Sequence, residues 1–214
     1  MQSIHVDPTA TIAPPADLNE STIVEYGCRI GPQVKTSINV HIHPHTLIQG
    51  EVTIGPCVEI GSDTILVGPL EIQEHVRIGR SVMIGSELAA DSLLPVGTLA
   101  KYTRIGDDAV VLSRLSLGEY SIVSKGARLE GDLPHHGVAW GRPAALKGFA
   151  CECGRLYTSF NKISPHLFLA RCHVCNEPGY RIASEILNLR QRTLLPNQQA
   201  GPSQPESFFQ DLGL

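Results

Sequence analysis

The sequence predicts an all-β fold, a parallel β-helix, on three observations. An aliphatic residue returns at every sixth position: Val6, Ile12, Leu18, Val24, Ile30, Ile42, Ile48, Ile54, Ile60, Leu66, Ile72, Ile78 and Ile84, with Thr36 the one polar member. Two positions before these sits a small or β-branched residue, as at Ala10, Cys28, Val40, Val52, Thr64 and Val82. Glycine follows one position after at Gly31, Gly55, Gly61, Gly79 and Gly85. A helix repeats every ~3.6 residues and a half-buried strand every second one, so neither explains a period of six. A coil with flat sides does: two inward side chains on a short strand, then a corner where glycine or a small residue turns the backbone. Three such sides make one coil, with strands of successive coils stacked about 4.8 Å apart.

The period holds in one phase to Ile84 and resumes three residues out of phase as Leu99, Ile105, Val111, Leu117, Val123 and Leu129. Residues near Gly85 to Gly97 are therefore expected to loop out of the coil, and loops held by a rigid scaffold commonly carry function. After Leu129, Pro134, Gly137, Gly141 and Pro143 break the repeat and move the chain off the coil axis. The expected organisation is a β-helix over residues 1–148, a four-cysteine zinc-binding module with a short helix over 149–196, and a flexible tail over 197–214.

The zinc-ribbon-like module rests on Cys151 and Cys153, followed with eighteen residues between by Cys172 and Cys175. Two close thiol pairs joined by such a loop present four sulfurs to a tetrahedral Zn²⁺. The alternative is two disulfides or unused thiols; His166 and His173 are possible substitutes for a thiol. Cys28 takes an inward hexad position as a small core residue, and Cys57 falls at a corner. Ile182, Ile186 and Leu189, with Arg181, Glu185 and Arg190 between them, predict a short amphipathic helix between Tyr180 and Leu195, ended by Pro196. In the tail, Phe208 and Phe209 are candidates for docking.

Composition narrows the function. The 214 residues carry 18% charged side chains, 5% aromatics and a net charge of -4, with no basic run to meet nucleic acid or an anionic membrane. The first residues lack a positive region followed by an apolar stretch, and nothing approaches the ~20 apolar residues of a membrane span, so a cytoplasmic protein is expected.

The hexads resemble those of the left-handed β-helix acyltransferases, trimers that use acetyl-CoA in clefts between subunits. That resemblance implies a left-handed coil, a homotrimer and acetyl-CoA as cosubstrate. More narrowly, residues 105–154 resemble the C-terminal half of bacterial nucleotide-amino-sugar N-acetyltransferases. The likeness is carried by Ile105-Gly106, Leu117-Gly118-Glu119-Tyr120, Gly126-Ala127, Asp132-Leu133-Pro134, Gly141-Arg142-Pro143-Ala144 and Cys151-Glu152-Cys153-Gly154. The chain departs from that family where two acids and a Phe-Thr-Asn lead into the substrate loop. Here Glu74 is kept, His75 replaces the second acid, and Ile84-Gly85-Ser86 stands at the loop entrance. The loop is short, and of its expected basic residues only Lys101 and Arg104 remain.

Acyl transfer to an amine needs a neutral nucleophile, an oxyanion donor and a proton path, and histidine is the economical base. His75, at a corner beside Glu74 and just before the phase slip, is the candidate base, with Glu74 as its partner. His41, His43 and His45 alternate around inward Ile42 and form a second candidate, catalytic or metal-binding, while His135 and His136 could contact the cofactor. Lys125, Arg128, Arg142 and Lys147 fall where that family places the anionic nucleotide end of CoA.

The expectation is therefore an acetyl-CoA-dependent acyltransferase acting on an amino or hydroxyl group of a sugar or nucleotide-sugar. Two alternatives stand beside it. One is a catalytically silent β-helix trimer that presents its zinc modules to a protein partner. The other is a metalloenzyme resembling the γ-class carbonic anhydrases, with His41, His43 and His45 at an interface.

Overall fold

The computed structural model describes residues 4–85, 96–112, 115–175 and 179–187. Three parallel sheets wrap one core in about seven turns. Sheet A collects short strands beginning at His5, Ile23, His41, Glu59, Arg77, Arg104 and Ile122. Sheet B collects those at Thr11, Arg29, Leu47, Ile65, Met83, Val110 and Arg128, and sheet C those at Val34, Val52, Leu70, Gly97 and Ser116. The chain runs from sheet C around a corner to A, then to B, and back to C.

The register fixes the coil at eighteen residues: His5 lies beside Ile23, Ile23 beside His41, His41 beside Glu59, and Glu59 beside Arg77. The next partner of Arg77 is Arg104, so this coil holds nine extra residues. Nine is one and a half hexads, which is the source of the three-residue phase slip. Most of the expected loop, 86–95, lies outside the described residues.

The hexad residues point inward as their spacing predicts. Ile42, Ile48, Ile60, Leu66 and Val123 are completely buried, and from Val24 to Leu129 all of the aliphatic members form one continuous core. Val6, Ile12 and Leu18, in the terminal coil, are only partly covered. Thr36 is tolerated because its hydroxyl has partners: it accepts from the Asn19 amide at 2.9 Å and lies 2.7 Å from the Thr22 hydroxyl. Buried Thr46, Thr64 and Thr103 donate their hydroxyls to the carbonyls of Gly61, Gly79 and Gly118 on the next coil, so burying these polar groups costs no lost hydrogen bond. Cys28 is fully buried, as expected of an inward position.

Glycine after the inward aliphatic reflects how closely coils approach. A Cβ on Gly61 would stand 2.5 Å from the Gly79 carbonyl oxygen, where no side chain fits.

At the C-terminal end Gly137–Gly141 joins sheet A beside Ile122 and Val123, and Ala144–Phe149 then returns antiparallel to it. This hairpin leads into a separate antiparallel sheet of Ser159–Ser164, Leu167–Arg171 and Arg181–Ala183. A second core of Phe149, Cys151, Tyr157, Ala170, Cys172, Ile182 and Leu187 lies beneath it. The helix expected from Tyr180 is thus displaced. Ile182 pairs with Phe168 in a strand, because tertiary pairing outweighs the local helical spacing, and among the described residues 184–187 are helical. The rest of that segment, with Leu189, Arg190 and Pro196, lies outside the described residues, as does the tail with Phe208 and Phe209. Among the described residues no helix is long and apolar enough to cross a membrane.

Candidate functional site

The corner between sheets C and A brings one residue of each coil into a column: Asn39, Cys57, His75, Tyr102, Tyr120 and His136. All six have left-handed backbone, with φ from 54° to 60°. Left-handed residues turn the chain at the same angle on every rung, so their side chains project in parallel at the coil spacing. The rings therefore stack: His75 on Tyr102 at 4.9 Å and 5° between planes, Tyr102 on Tyr120 at 4.8 Å and 4°, and Tyr120 on His136 at 5.1 Å and 19°. Tyr180 from the C-terminal sheet closes the ladder at 4.0 Å from His136.

The two ends of this ladder differ. His136 is buried, its Nδ1 lies 2.8 Å from the Ala150 carbonyl oxygen, and burial holds its pKa below the ordinary histidine value. His75 is exposed and faces a groove of about 320 Å³ lined by Cys57, Glu59, Arg77, Tyr102, Arg104 and Glu152. The groove thus sets an imidazole on the same wall as two guanidinium groups, which suit a bound anion. Glu74, expected to assist His75, instead pairs with Lys101 (Oε1 to Nζ 2.9 Å). Among the described residues no carboxylate bonds to the His75 ring.

Glu152 reaches the groove because the chain turns sharply through Cys151-Glu152-Cys153-Gly154. The Cys151 amide donates to the Arg155 carbonyl at 2.7 Å, and the Gly154 amide to that of Cys151 at 2.8 Å. Gly154 has φ +89°, and a Cβ there would collide with the Arg104 guanidinium. The turn is thus seated directly against sheet A.

The four module thiols converge. Cys151 and Cys175 sulfurs are 3.4 Å apart, Cys153 and Cys172 3.7 Å, and all four lie within 4.8 Å of one another. Tetrahedral Zn–S bonds of ~2.3 Å imply sulfurs roughly 3.8 Å apart, so the set fits a zinc ion. His166 and His173 are not part of the cluster. Burial pushes the Cys151 thiol up to about 12. At Cys172 burial acts in the same direction, but the Cys175 and Val174 amides outweigh it and bring the value to about 7.

The four cationic candidates do not form one patch. Arg142 donates its Nε to the Gly126 carbonyl and its Nη2 to that of Asp108 at 3.2 Å, and so fastens the end of the corner between sheets A and B. Lys125 is exposed beside that corner, its charge felt by Asp107. Arg128 lies on sheet B, paired with Glu130 at 2.8 Å, and Lys147 is exposed on the returning hairpin strand.

The histidine triplet separates. His45 sits at a corner, edge-on to Tyr26 at 5.0 Å. His41 and His43 converge instead on Glu25, His41 Nε2 and His43 Nδ1 lying 2.6 and 3.2 Å from its Oε1. His43 Nε2 is also 3.3 Å from Glu59 Oε1. Sequence reasoning misses Glu25, although its spacing of one coil from His43 marks the two as neighbours. His135 accepts from the Glu119 amide through Nδ1 at 3.1 Å.

The architecture is that of a hexapeptide-repeat β-helix carrying a cysteine-cluster module. No family model matches the chain. It is similar to the dTDP-3-amino-3,6-dideoxy-α-D-galactopyranose 3-N-acetyltransferase of Aneurinibacillus thermoaerophilus, 36% identical over 53 residues, which are 25% of this chain and 28% of that protein. The chain thus spans little more than a quarter of the curated relative it matches. That relative is of the kind the C-terminal string resembles. Among solved structures it is similar to a mutant of AntD, an N-acyltransferase from Bacillus cereus in complex with dTDP and coenzyme A (19% identity, 69% of this chain and 83% of that one, TM-score 0.49). Another is PerB from Caulobacter crescentus in complex with CoA and GDP-perosamine (20% identity, 69% and 58%, TM-score 0.43).

Proposed function

We propose that this protein transfers an acetyl or other acyl group from CoA to an amino or hydroxyl group of a sugar or nucleotide-sugar. The observation that carries this reading is the 36% identity to a nucleotide-sugar N-acetyltransferase, within a chain whose hexads build a β-helix. His75 is the base, exposed at the end of the ring ladder. Arg77 and Arg104 line the same groove, where an anionic acceptor would lie. Glu74 acts only when released from Lys101. Lys125 and Arg142 at one corner, Arg128 on sheet B and Lys147 on the returning hairpin strand are assigned to the CoA phosphates.

The Cys151, Cys153, Cys172 and Cys175 sulfurs hold a structural zinc ion. The working form is a cytoplasmic homotrimer, a reading supported by apolar side chains left exposed on the coils, among them Ile23, Tyr26, Ile38 and Met83. The test is a thermal shift with CoA but not adenosine, followed by acetyl transfer to nucleotide-linked amino sugars. Transfer that survives His75→Gln unchanged would remove His75 from its role.

A second reading, a catalytically silent scaffold with a zinc module for a protein partner, is favoured by the Glu74–Lys101 pair, which leaves His75 without a carboxylate among the described residues. A trimer that binds no CoA would decide for it. The carbonic-anhydrase-like reading is less well supported, since His45 has turned to Tyr26 and away from His41 and His43.

A further inference from the structure

We infer that Glu25, His41 and His43 form a second metal site, one for a first-row divalent cation such as Zn²⁺, Co²⁺ or Ni²⁺, on the outer face of sheet A and separate from the cysteine cluster. The inference is independent of the acyltransferase reading.

The hydrogen-bonding pattern around His43 leads to it. A neutral imidazole has one N–H donor and one bare acceptor nitrogen. Here Nδ1 faces the Glu25 carboxylate at 3.2 Å and Nε2 faces the Glu59 carboxylate at 3.3 Å. Only the Nε2 contact is a hydrogen bond, so the Nδ1 nitrogen and the Glu25 carboxylate face each other at close range without a bond between them. His41 Nε2 converges on the same Glu25 oxygen at 2.6 Å. A cation on the Nδ1 side would bridge these groups.

The donor set favours the cation. His41 Nε2, His43 Nδ1 and one Glu25 oxygen lie within 4.8 Å of one another, and two imidazoles with one carboxylate suit borderline divalent ions. With the cation on Nδ1, the Nε2 proton of His43 is free to donate to Glu59. Metal-bound histidines commonly have such a carboxylate on the far nitrogen, fixing ring orientation and raising ligand basicity. Arg77 Nε lies 3.9 Å from the other Glu59 oxygen and steadies that carboxylate in place. The coil supplies the geometry. Glu25 and His43 occupy equivalent positions on adjacent coils, as do His41 and Glu59, so two pairs of side chains, the members of each eighteen residues apart, meet without any loop. All three ligands are partly solvent-accessible, which leaves an entry path and room for water on the remaining coordination positions.

Cobalt titration of the full chain separates the two sites. Cobalt bound to thiolates gives intense sulfur-to-metal charge-transfer absorption, and cobalt bound to two imidazoles and a carboxylate gives only weak visible bands. The expected result is uptake of two equivalents, of which one gives no charge-transfer signal. The double variant His41→Gln/His43→Gln should lose that one equivalent and keep the charge-transfer band, and Glu59→Gln should weaken the same equivalent by about 10- to 100-fold. As a check that does not depend on the histidine variants folding, Cys172→Ser/Cys175→Ser should retain one weakly absorbing equivalent. Equal stoichiometry in wild type and the double histidine variant, or no uptake by the cysteine variant, overturns the site.

Discussion

The His75 and Tyr102 rings lie 4.9 Å apart and within 5° of parallel, although nine extra residues enter the chain between them. The stack joins the proposed base to the ladder that ends under the cysteine module. Replacing His75 by Gln is expected to lower acyl transfer by roughly 10²- to 10⁴-fold, the usual contribution of a positioned base, while changing the melting temperature little. Tyr102→Leu should cost about 0.5–1.5 kcal/mol of stacking and loosen His75. Paired kinetic and melting measurements distinguish the two effects, and equal loss of stability in both variants would make His75 a packing residue.

Two glycines test the closeness of the coils. Gly61→Ala places a methyl group against the Gly79 backbone and should destabilise the chain by about 1–3 kcal/mol. Gly131, where an added Cβ meets nothing within 4 Å, should tolerate alanine within about 0.5 kcal/mol. Urea denaturation of both variants checks the contrast.

Asp107 gives the fold an acid-sensitive joint. Its Oδ1 accepts the Arg80 amide at 2.8 Å and its Oδ2 the Arg80 guanidinium at 2.9 Å. Burial opposes ionisation, but these bonds and the Arg80 charge hold the carboxyl below its ordinary range. A carboxylate with a depressed folded-state pKa contributes stability above its unfolded pKa and loses it as pH falls through the folded value. Wild type should therefore lose stability on acidification below about pH 4 more steeply than Asp107→Asn. At neutral pH the variant should be weaker by roughly 1–3 kcal/mol. Melting temperatures followed across the acid range measure both, and parallel curves would refute the assignment.

Removing the proposed zinc ligands should release the far end of the ladder. In Cys172→Ser/Cys175→Ser, amide protection is expected to fall over residues 149–187 and to persist in the coils, with zinc per chain reduced. Tyr157 and Tyr180 would then no longer cover His136, and its imidazole, depressed by burial, should titrate closer to the ordinary histidine range. Histidine proton NMR reports this, and an unmoved His136 would separate the module from the ladder.

The hexads made the coil legible because one rule, inward aliphatic then corner, acts on each of Val24 to Leu129 regardless of distant contacts. The cysteine cluster was legible because metal-ligand spacing is local in sequence. Other features were hidden by counts that skip whole coils. The ladder joins His75, Tyr102, Tyr120 and His136 at separations of 27, 18 and 16, which the insertion and the terminal hairpin make irregular. Glu25 meets His43 across one coil, while His45, two residues from His43, faces another direction. Ile182 followed a helical spacing but was claimed by Phe168 across a strand pair. Glu74 stands beside His75 in sequence, yet the salt bridge to Lys101 on the next coil took it.

In this protein residue count acts as an address. Which side chains share a corner follows from position modulo eighteen, so deleting or duplicating one complete coil removes or adds a rung and leaves every other vertical neighbour in place. A single-residue insertion within a coil shifts every neighbour downstream of it. The nine-residue insertion between Arg77 and Arg104 is accommodated with the vertical pairing kept on either side of it, Met83 lying beside Val110 and Leu70 beside Gly97. Such a solenoid can evolve freely in length by whole turns, while new chemistry enters as excursions at its corners or as side chains aligned on a sheet face.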